Sequence, residues 1–304
     1  MSFPAASVTV PTLASYQLSF NGLTLGPGTA FEFSKIEGTD MPEVRSGDAA
    51  RAREHGMFIG LDLMGGRQIT VTGDLGPVAG STFAQSRAAL AAATIPGGTV
   101  EIPLWVNLPG FGTLCTMARC RKRALPIDIA YTFGLAKDIP IQWNSSDPRL
   151  YGATQAPVMN LPSFLPGSGG LGFPFGFPIA FGGGTAGGSL TVSNPGNIDT
   201  APVLTFTGPC IYPALQNNSI PGDPVVQFGV TLNTGDQLVV DTDFHTALLY
   251  PAGSTVGSPV EDTLQPGSTW WTLQPGLSYL NFTSKDSTPA AGTCTVGWAP
   301  AYIL

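Results

Sequence analysis

Charge is what this chain has least of. Of its 304 residues only 11% are Asp, Glu, Lys or Arg, and from Gly152 through Ile198 there is none. Histidine occurs twice and cysteine four times. Spanning a bilayer takes about 20 consecutive apolar residues, and Gly and Pro interrupt every apolar tract before that length, so no membrane insertion is expected. The Met1-Ser-Phe-Pro4 start shows no basic region followed by an apolar one, so no secretory leader is read and synthesis in a cytoplasm is expected. With 13 Lys and Arg against 20 Asp and Glu, a net charge of −7, there is no broad cationic surface for gripping phosphates. The one basic run, Arg119-Cys-Arg121-Lys122-Arg123, reads as a solvated strand end or a subunit contact.

Scarcity also thins out the chemistry. Neither His55 nor His245 has a G-x-S-x-G partner, and each sits in a turn-like polar context, so no nucleophilic triad is read. Asp241 and Asp243 lack the further oxygen ligands of a calcium loop, and the simpler reading is a strand ending in an Asp-Thr-Asp turn. Gly182-Gly-Gly184 and Gly187-Gly188 lack the lysine and following helix of a phosphate cradle and read as loop. Cys115, Cys120, Cys210 and Cys294 show no metal-binding spacing, and Cys115 and Cys120, five apart, would face opposite sides of one regular strand. Reduced, mostly buried thiols are expected. No catalytic residue, metal site or cofactor is expected, and the chain does not read as an enzyme.

What is present is apolar and turn-rich: 43% apolar residues, 39 Gly and 28 Pro. That combination points to an all-β protein long enough for two domains, each with its own core. The charges divide unevenly. Residues 1–151 hold 12 basic and 12 acidic side chains, a balance of zero, whereas residues 152–304 hold 1 and 8, which is the whole −7. The expected organisation is a first domain over 1–151, a Pro/Gly/Phe-rich joint over 152–188, and a β-sandwich over 189–304.

In the first domain, alternation predicts strands at Tyr16 to Phe20, Phe31 to Ile36, Met57 to Leu63, Arg67 to Gly73, Thr99 to Val106, Gly112 to Arg123, Ile129 to Leu135 and Ile139 to Trp143. Asn21-Gly22 marks a tight hairpin turn. One helix is expected, from Ser81 to Ala93, with Ser81 as its cap and an apolar face of Phe83, Ala84, Arg87, Ala88, Leu90 and Ala91. The charged segment 40–56 lacks apolar periodicity and reads as an extended loop or hairpin arm. In the joint, Phe173, Phe175, Phe177 and neighbouring prolines favour extended chain over a flexible tether. Beyond it, short strands recur at regular spacing, including Val225 to Leu232, Gln237 to Asp241 and Trp270 to Leu273, as in a jelly roll or sandwich. Adjacent strand residues point to opposite faces, so one ring of Trp270 and Trp271 must leave the core. It is a possible glycan-binding platform, or else is covered by the Phe-rich joint.

The order of motifs resembles one family, the siphophage distal tail proteins (Dit-like; minor tail proteins of actinobacteriophages). The matching residues are Leu18-Ser-Phe-Asn21-Gly22, the charged loop with Val44-Arg45, Arg67-Gln-Ile-Thr-Val-Thr-Gly73 ahead of the helix, and Trp143 followed by Asp147-Pro148-Arg149-Leu150-Tyr151. In the second half they are Asn194-Pro-Gly196-Asn197, Leu232-Asn-Thr-Gly235-Asp236 and Trp270-Trp271-Thr-Leu273-Gln-Pro275-Gly276.

The resemblance implies a tail-tube-like split β-barrel or sandwich with one α-helix, six copies of which form a ring around the DNA channel, and an outer galectin-like or carbohydrate-module-like sandwich. The ring would join the tail tube to the tail tip or baseplate, contact a hub protein, and carry receptor-binding proteins or fibres in the virion, with DNA only passing through its lumen. Arg45, Arg51, Arg53 and Glu54 are then expected at subunit contacts, and Trp143, Asp147, Pro148, Arg149 and Tyr151 at the domain junction. The alternative is a tail-tip adhesion protein that recognises host cell-wall sugars.

Overall fold

The computed structural model describes residues 10–96, 98–160, 188–285 and 292–304. The Phe-Pro tract and most of the Gly-rich stretch expected to form the joint lie outside these residues. Among the described residues two compact units emerge: residues 10–153 together with Ala301–Leu304, and residues from Thr154 to Pro300. The sequence expectation gave the last four residues to the second domain, and the structure gives them to the first. They join it because Ala301–Tyr302 forms a strand registered against Leu150–Tyr151. The fold is all-β, and among the described residues no sheet closes into a barrel.

The first unit runs β1 (Leu18–Phe20), β2 (Leu23–Leu25), β3 (Phe31–Glu37), β4 (Val44–Arg45), β5 (Ala49–Ala50), β6 (Met57–Phe58), β7 (Leu63–Met64), β8 (Arg67–Leu75), α1 (Phe83–Ala93), β9 (Ile102–Leu108), β10 (Gly112–Arg123), α2 (Ile129–Thr132), β11 (Ala136–Ser145) and β12 (Leu150–Tyr151). The main sheet has the order β2-β1-β9-β10-β11-β8-β3. Asn21 and Gly22 both have positive φ, 49° and 78°, as a two-residue turn between β1 and β2 demands.

β10 is shared: Gly112–Ala118 pair with β9, and Arg119–Arg123 pair with β11 after a register shift between Cys120 and Lys122. Alternation along β8 and β11 sends Ile69, Val71, Leu75, Ile139, Ile141 and Trp143 into one core with Leu18, Phe20 and Leu104. Burying each such large side chain contributes about 1.5–3 kcal/mol.

The helices differ from the sequence reading. α1 starts one residue later, capped by Thr82, whose hydroxyl accepts from the Gln85 N–H while the Gln85 side chain accepts from the Thr82 N–H. This reciprocal box satisfies two donors, where Ser81 would satisfy fewer. Its buried face is Ser86, Leu90 and Ala93, with Ala84, Arg87 and Ala88 exposed. The strand expected at Ile129 to Leu135 is instead the single-turn α2, nucleated by the Asp128 side chain accepting from the Tyr131 N–H and ended by Gly134 at φ 76°.

The second unit runs β13 (Val158–Asn160), β14 (Ser189–Asn194), β15 (Val203–Thr207), β16 (Cys210–Ile211), β17 (Ala214–Asn217), β18 (Val225–Gln227), β19 (Thr231–Leu232), β20 (Gln237–Asp241), β21 (Thr246–Tyr250), β22 (Ser258–Pro259), β23 (Gly276–Thr283) and β24 (Thr293–Gly297). Two antiparallel sheets, β13-β24-β15-β20-β21-β22 and β14-β23-β17-β18, share one core. Phe206 of the first sheet meets Phe282 of the second with ring centroids 5.6 Å apart, the interdigitation that defines a sandwich.

The run expected as one strand from Val225 to Leu232 breaks between β18 and β19. Trp270 to Leu273 is not a strand either. It is an extended segment tied by one bridge, Thr200 to Leu273.

Candidate assembly site

The charged segment and its return form a long hairpin. β4 pairs with β7 and β5 with β6, and the Gly47 N–H donates to the Leu61 carbonyl while the Gly65 N–H donates to that of Glu43. The two strands close up where glycine faces glycine: a Cβ on Gly60 would lie 2.2 Å from the Gly47 carbonyl carbon. Every side chain from Glu43 to Ile59 is exposed. Ile59 is 92% and Leu61 73% exposed, with Met57, Phe58 and Leu63 also open to solvent.

Arg45, Arg51, Arg53 and Glu54 all lie on this arm and are exposed. Arg51 is 3.3 Å from Glu54 and lies over the Phe58 ring at 5.2 Å. An exposed ion pair of this kind contributes at most about 1 kcal/mol. A lone two-stranded hairpin is marginal in water, and the arm's apolar side chains, like those of Ile127, Ile129 and Phe133 elsewhere in this unit, are not covered by its core.

The arm's root is fixed by Arg67. Its position at the start of β8, in phase with Ile69 and Val71, turns the guanidinium inward, where only 2% of the residue is exposed. Nε donates to the Pro148 carbonyl at 2.7 Å, and one terminal nitrogen donates to the carbonyls of Gly38 at 2.7 Å and Asp40 at 2.6 Å. Burial pulls its pKa below the usual arginine value, opposed by the charges of Asp40 and Asp147. The other terminal nitrogen, Nη2, is buried without a hydrogen-bond partner among the described residues. Arg67 lines a polar cavity of about 380 Å³ with Glu43, Gln68, Asn144 and Ser145.

Next to it, Asp147 gathers a compact knot. Its carboxylate accepts from Arg149 Nε at 3.0 Å, from Arg149 Nη2 at 2.9 Å and from the Tyr151 hydroxyl at 2.6 Å, while its carbonyl accepts from Ser145 Oγ. Arg149 also lies over the Tyr151 ring at 5.4 Å. The structure thus brings Asp147, Pro148, Arg149 and Tyr151 together, immediately before the chain leaves the first unit. Trp143 is separate from them. It is fully buried in the first unit's core, edge-on to Phe20 at 5.7 Å.

The basic run of β10 is not a single stripe, because the bulge after Cys120 breaks the alternation. Arg119 approaches the buried Glu101 at 3.8 Å, whereas Arg123 donates to Thr94 Oγ1 at 2.5 Å and to the Leu90 carbonyl at 3.3 Å. It thereby caps the end of α1, where a cation opposes the helix dipole. All four cysteines are buried, and burial raises the thiol pKa of Cys115, Cys120 and Cys294. Cys120 joins the main core while Cys115, on the other face of β10, is registered against Trp105 and Tyr151.

The acidic turn in the second unit is structural in its bonding: Asp241 Oδ1 accepts from the N–H groups of Asp243 and Phe244. No group of three His, Cys, Asp or Glu able to hold a metal occurs among the described residues. Trp271 points into the core, 4% exposed, and Trp270 is half-buried beside it. His245, read from the sequence as a turn histidine without a partner role, stacks on Trp270 with centroids 4.7 Å apart and planes 17° from parallel. The available signal was a histidine in a tight turn after β20.

A β unit with an exposed hairpin, interrupted in sequence by a β-sandwich before its last strand, is a fold shared with a phage distal tail protein. The structural neighbour carrying that comparison is SPP1 Dit (gp 19.1), described as a paradigm of the hub adsorption apparatus in phages that infect Gram-positive bacteria. It matches with a TM-score of 0.64 and 14% identity over 95% of this chain and 99% of that one. Two structures of the phage p2 baseplate in its activated conformation, with Sr and with Ca, align at TM-scores of 0.49 and 0.47 and 8% and 9% identity, covering 93% of this chain and 97% of theirs. No protein-family model and no curated protein matches the sequence.

Proposed function

We propose that this chain is a structural component of a phage tail tip: a distal tail protein that assembles as a ring of six, joins the tail tube to the hub or baseplate, and offers a surface on which receptor-binding proteins or fibres are mounted. The observation that carries this reading is the arm. Its apolar side chains are exposed along both strands, and patches of that kind mark interaction sites. In a closed ring of identical subunits a heterologous contact repeats until it closes, so one arm per subunit is a natural fastener.

In this reading Arg45, Arg51, Arg53 and Glu54 flank the apolar contact and set its register, and the Asp147 knot anchors the chain where it crosses from one unit to the other. DNA passes through the lumen without being held. The protein has no catalytic role.

Light scattering and negative-stain imaging of the purified protein test the proposal. Rings of six are expected, and Ile59→Asp with Leu61→Asp should yield monomers with an unchanged circular dichroism spectrum. A wild-type protein that stays monomeric at high concentration, or a double variant that still forms rings, would overturn it. A second reading, an adhesion protein that recognises host cell-wall sugars, is favoured by one observation, the open pocket beside Trp270.

A further inference from the structure

Three loops of the second unit meet around Trp270. Ile220, Pro221 and Pro224 come from the turn between β17 and β18, Thr242 and His245 from the turn between β20 and β21, and Thr269 to Thr272 with Gln274 from the extended segment before β23. They enclose an open pocket of about 350 Å³, at the small end of the range for ligand sites.

The wall of this pocket is built and held. The Trp270 indole is braced edge-on by Phe228 at 6.4 Å, and the imidazole of His245 lies parallel to it. His245 itself sits at φ 57°, in the left-handed region, a conformation costly for most side chains that persists where its surroundings enforce it. Here the enforcing contact is the Asp241 carboxylate, which fixes the two preceding N–H groups. The result is a stacked pair of rings in a pocket also lined by Pro221 and Pro224.

The polar groups are few, and no carboxylate, ammonium or guanidinium is among the lining residues. Gln274 and Thr269 offer an amide and a hydroxyl. Thr272 Oγ1 donates to Asp199, and Thr242 Oγ1 donates to the Pro202 carbonyl, which leaves both hydroxyl oxygens able to accept. Trp271, nine-tenths buried and lining the same pocket, has an indole N–H without a hydrogen-bond partner among the described residues. Among the described residues no Lys or Arg lines the pocket, and Lys285 is the only Lys or Arg between 152 and 304. An anionic ligand would therefore enter an acidic unit with no counter-charge at the site.

We propose that this pocket binds a neutral saccharide of one or two rings. The C–H face of a pyranose suits the negative face of an aromatic ring, its hydroxyls suit donors and acceptors such as Gln274, Thr269 and His245, and its neutrality suits the surrounding charge. The inference deepens the sugar-recognition reading and is independent of ring assembly.

The experiment titrates the full-length protein with glucose, galactose, rhamnose, N-acetylglucosamine and lactose, with glucuronic acid and a proline-rich peptide as contrasting probes. Binding is read by saturation-transfer NMR and by the fluorescence of Trp270, the one tryptophan of the five that is not buried. At least one neutral sugar should bind with a Kd on the order of 1–10 mM, which corresponds to only about 3–4 kcal/mol. His245→Ala and Gln274→Ala should each weaken it about tenfold, equivalent to about 1.4 kcal/mol, with circular dichroism unchanged. Trp270→Phe, which keeps a ring in the wall, should retain weakened binding.

The arm variant Ile59→Asp/Leu61→Asp should bind the sugar as wild type does, which separates this inference from the fate of the ring. No saturable neutral sugar, equal affinity in the His245 and Gln274 variants, or saturation by glucuronic acid or the peptide alone would overturn the assignment.

Discussion

Arg67 shows how much one side chain can hold together. It ties the carbonyls of Gly38 and Asp40, at the foot of the arm, to that of Pro148 in the turn before β12. Replacing it by Met keeps most of the volume but leaves those three buried acceptors without donors. Arg67→Met is expected to cost about 2–4 kcal/mol, measured by urea denaturation, and Arg67→Lys should recover only part because a single ammonium cannot span the same fork. A loss below about 1 kcal/mol would show that water replaces the guanidinium.

Asp236 gives a pH-dependent counterpart. N–H groups of Asn233 and Ala252 hold its carboxylate below the usual acid range, so its contribution is present above about pH 4 and lost as the pH falls through the folded value. Asp236→Asn should flatten the acid limb of a stability–pH curve, and an unchanged limb would show that other carboxylates set it. The strand at Arg67 was read from the sequence, but the burial of its charge was not, although Ile69 and Val71 share its phase. The sequence marked Asp147 to Tyr151 as a group without revealing that one carboxylate binds the other two side chains. Trp143 belongs to the core rather than to that group, because its alternation partners are Ile139 and Ile141.

At the level of elements, the helix and the arm make contrasting cases. The α1 cap is local chemistry, so Thr82→Ala should cost about 1 kcal/mol while Thr82→Ser costs little, readable as a shift in thermal midpoint. The sequence located that helix to within a residue because cap and periodicity lie in one short window. α2 was hidden: Ile129, Tyr131, Phe133 and Leu135 alternate as in a strand, and only the Asp128 cap and Gly134 betray a turn. The arm was visible as a charged segment with a hairpin as one of two readings, but its pairing with residues 57–64 was not. With both faces exposed, nothing imposes the period-two pattern by which a strand is usually read.

For the whole molecule, the decisive feature is that Tyr151 and Ala301 stand opposite each other in one ladder, while Gln155 and Trp298 form a bridge within the second unit. Replacing residues 154–300 by an Asn-Gly turn should therefore convert the two strands into an ordinary hairpin. The shortened chain is expected to fold, by circular dichroism, and to assemble as the full chain does by light scattering. Aggregation or loss of β signal would show that the first unit depends on the second. The charge break after Tyr151 signals the outward crossing, but nothing in Ala301–Tyr302 advertises a return, because the partner is remote in sequence and two residues carry no periodicity.

That late return also orders events during synthesis. Residues 154–300 can collapse as soon as they have emerged, and the Gln155–Trp298 bridge then draws the two ends of a very long loop together, removing most of the entropy cost of closing it. Until residue 302 is available, β12 lacks its outer neighbour and the first unit carries an open edge, the kind of surface that invites pairing with another chain. The sandwich is thus positioned in the chain to act as an intramolecular chaperone for the unit whose sequence flanks it, shortening the interval in which nascent chains can pair wrongly with each other.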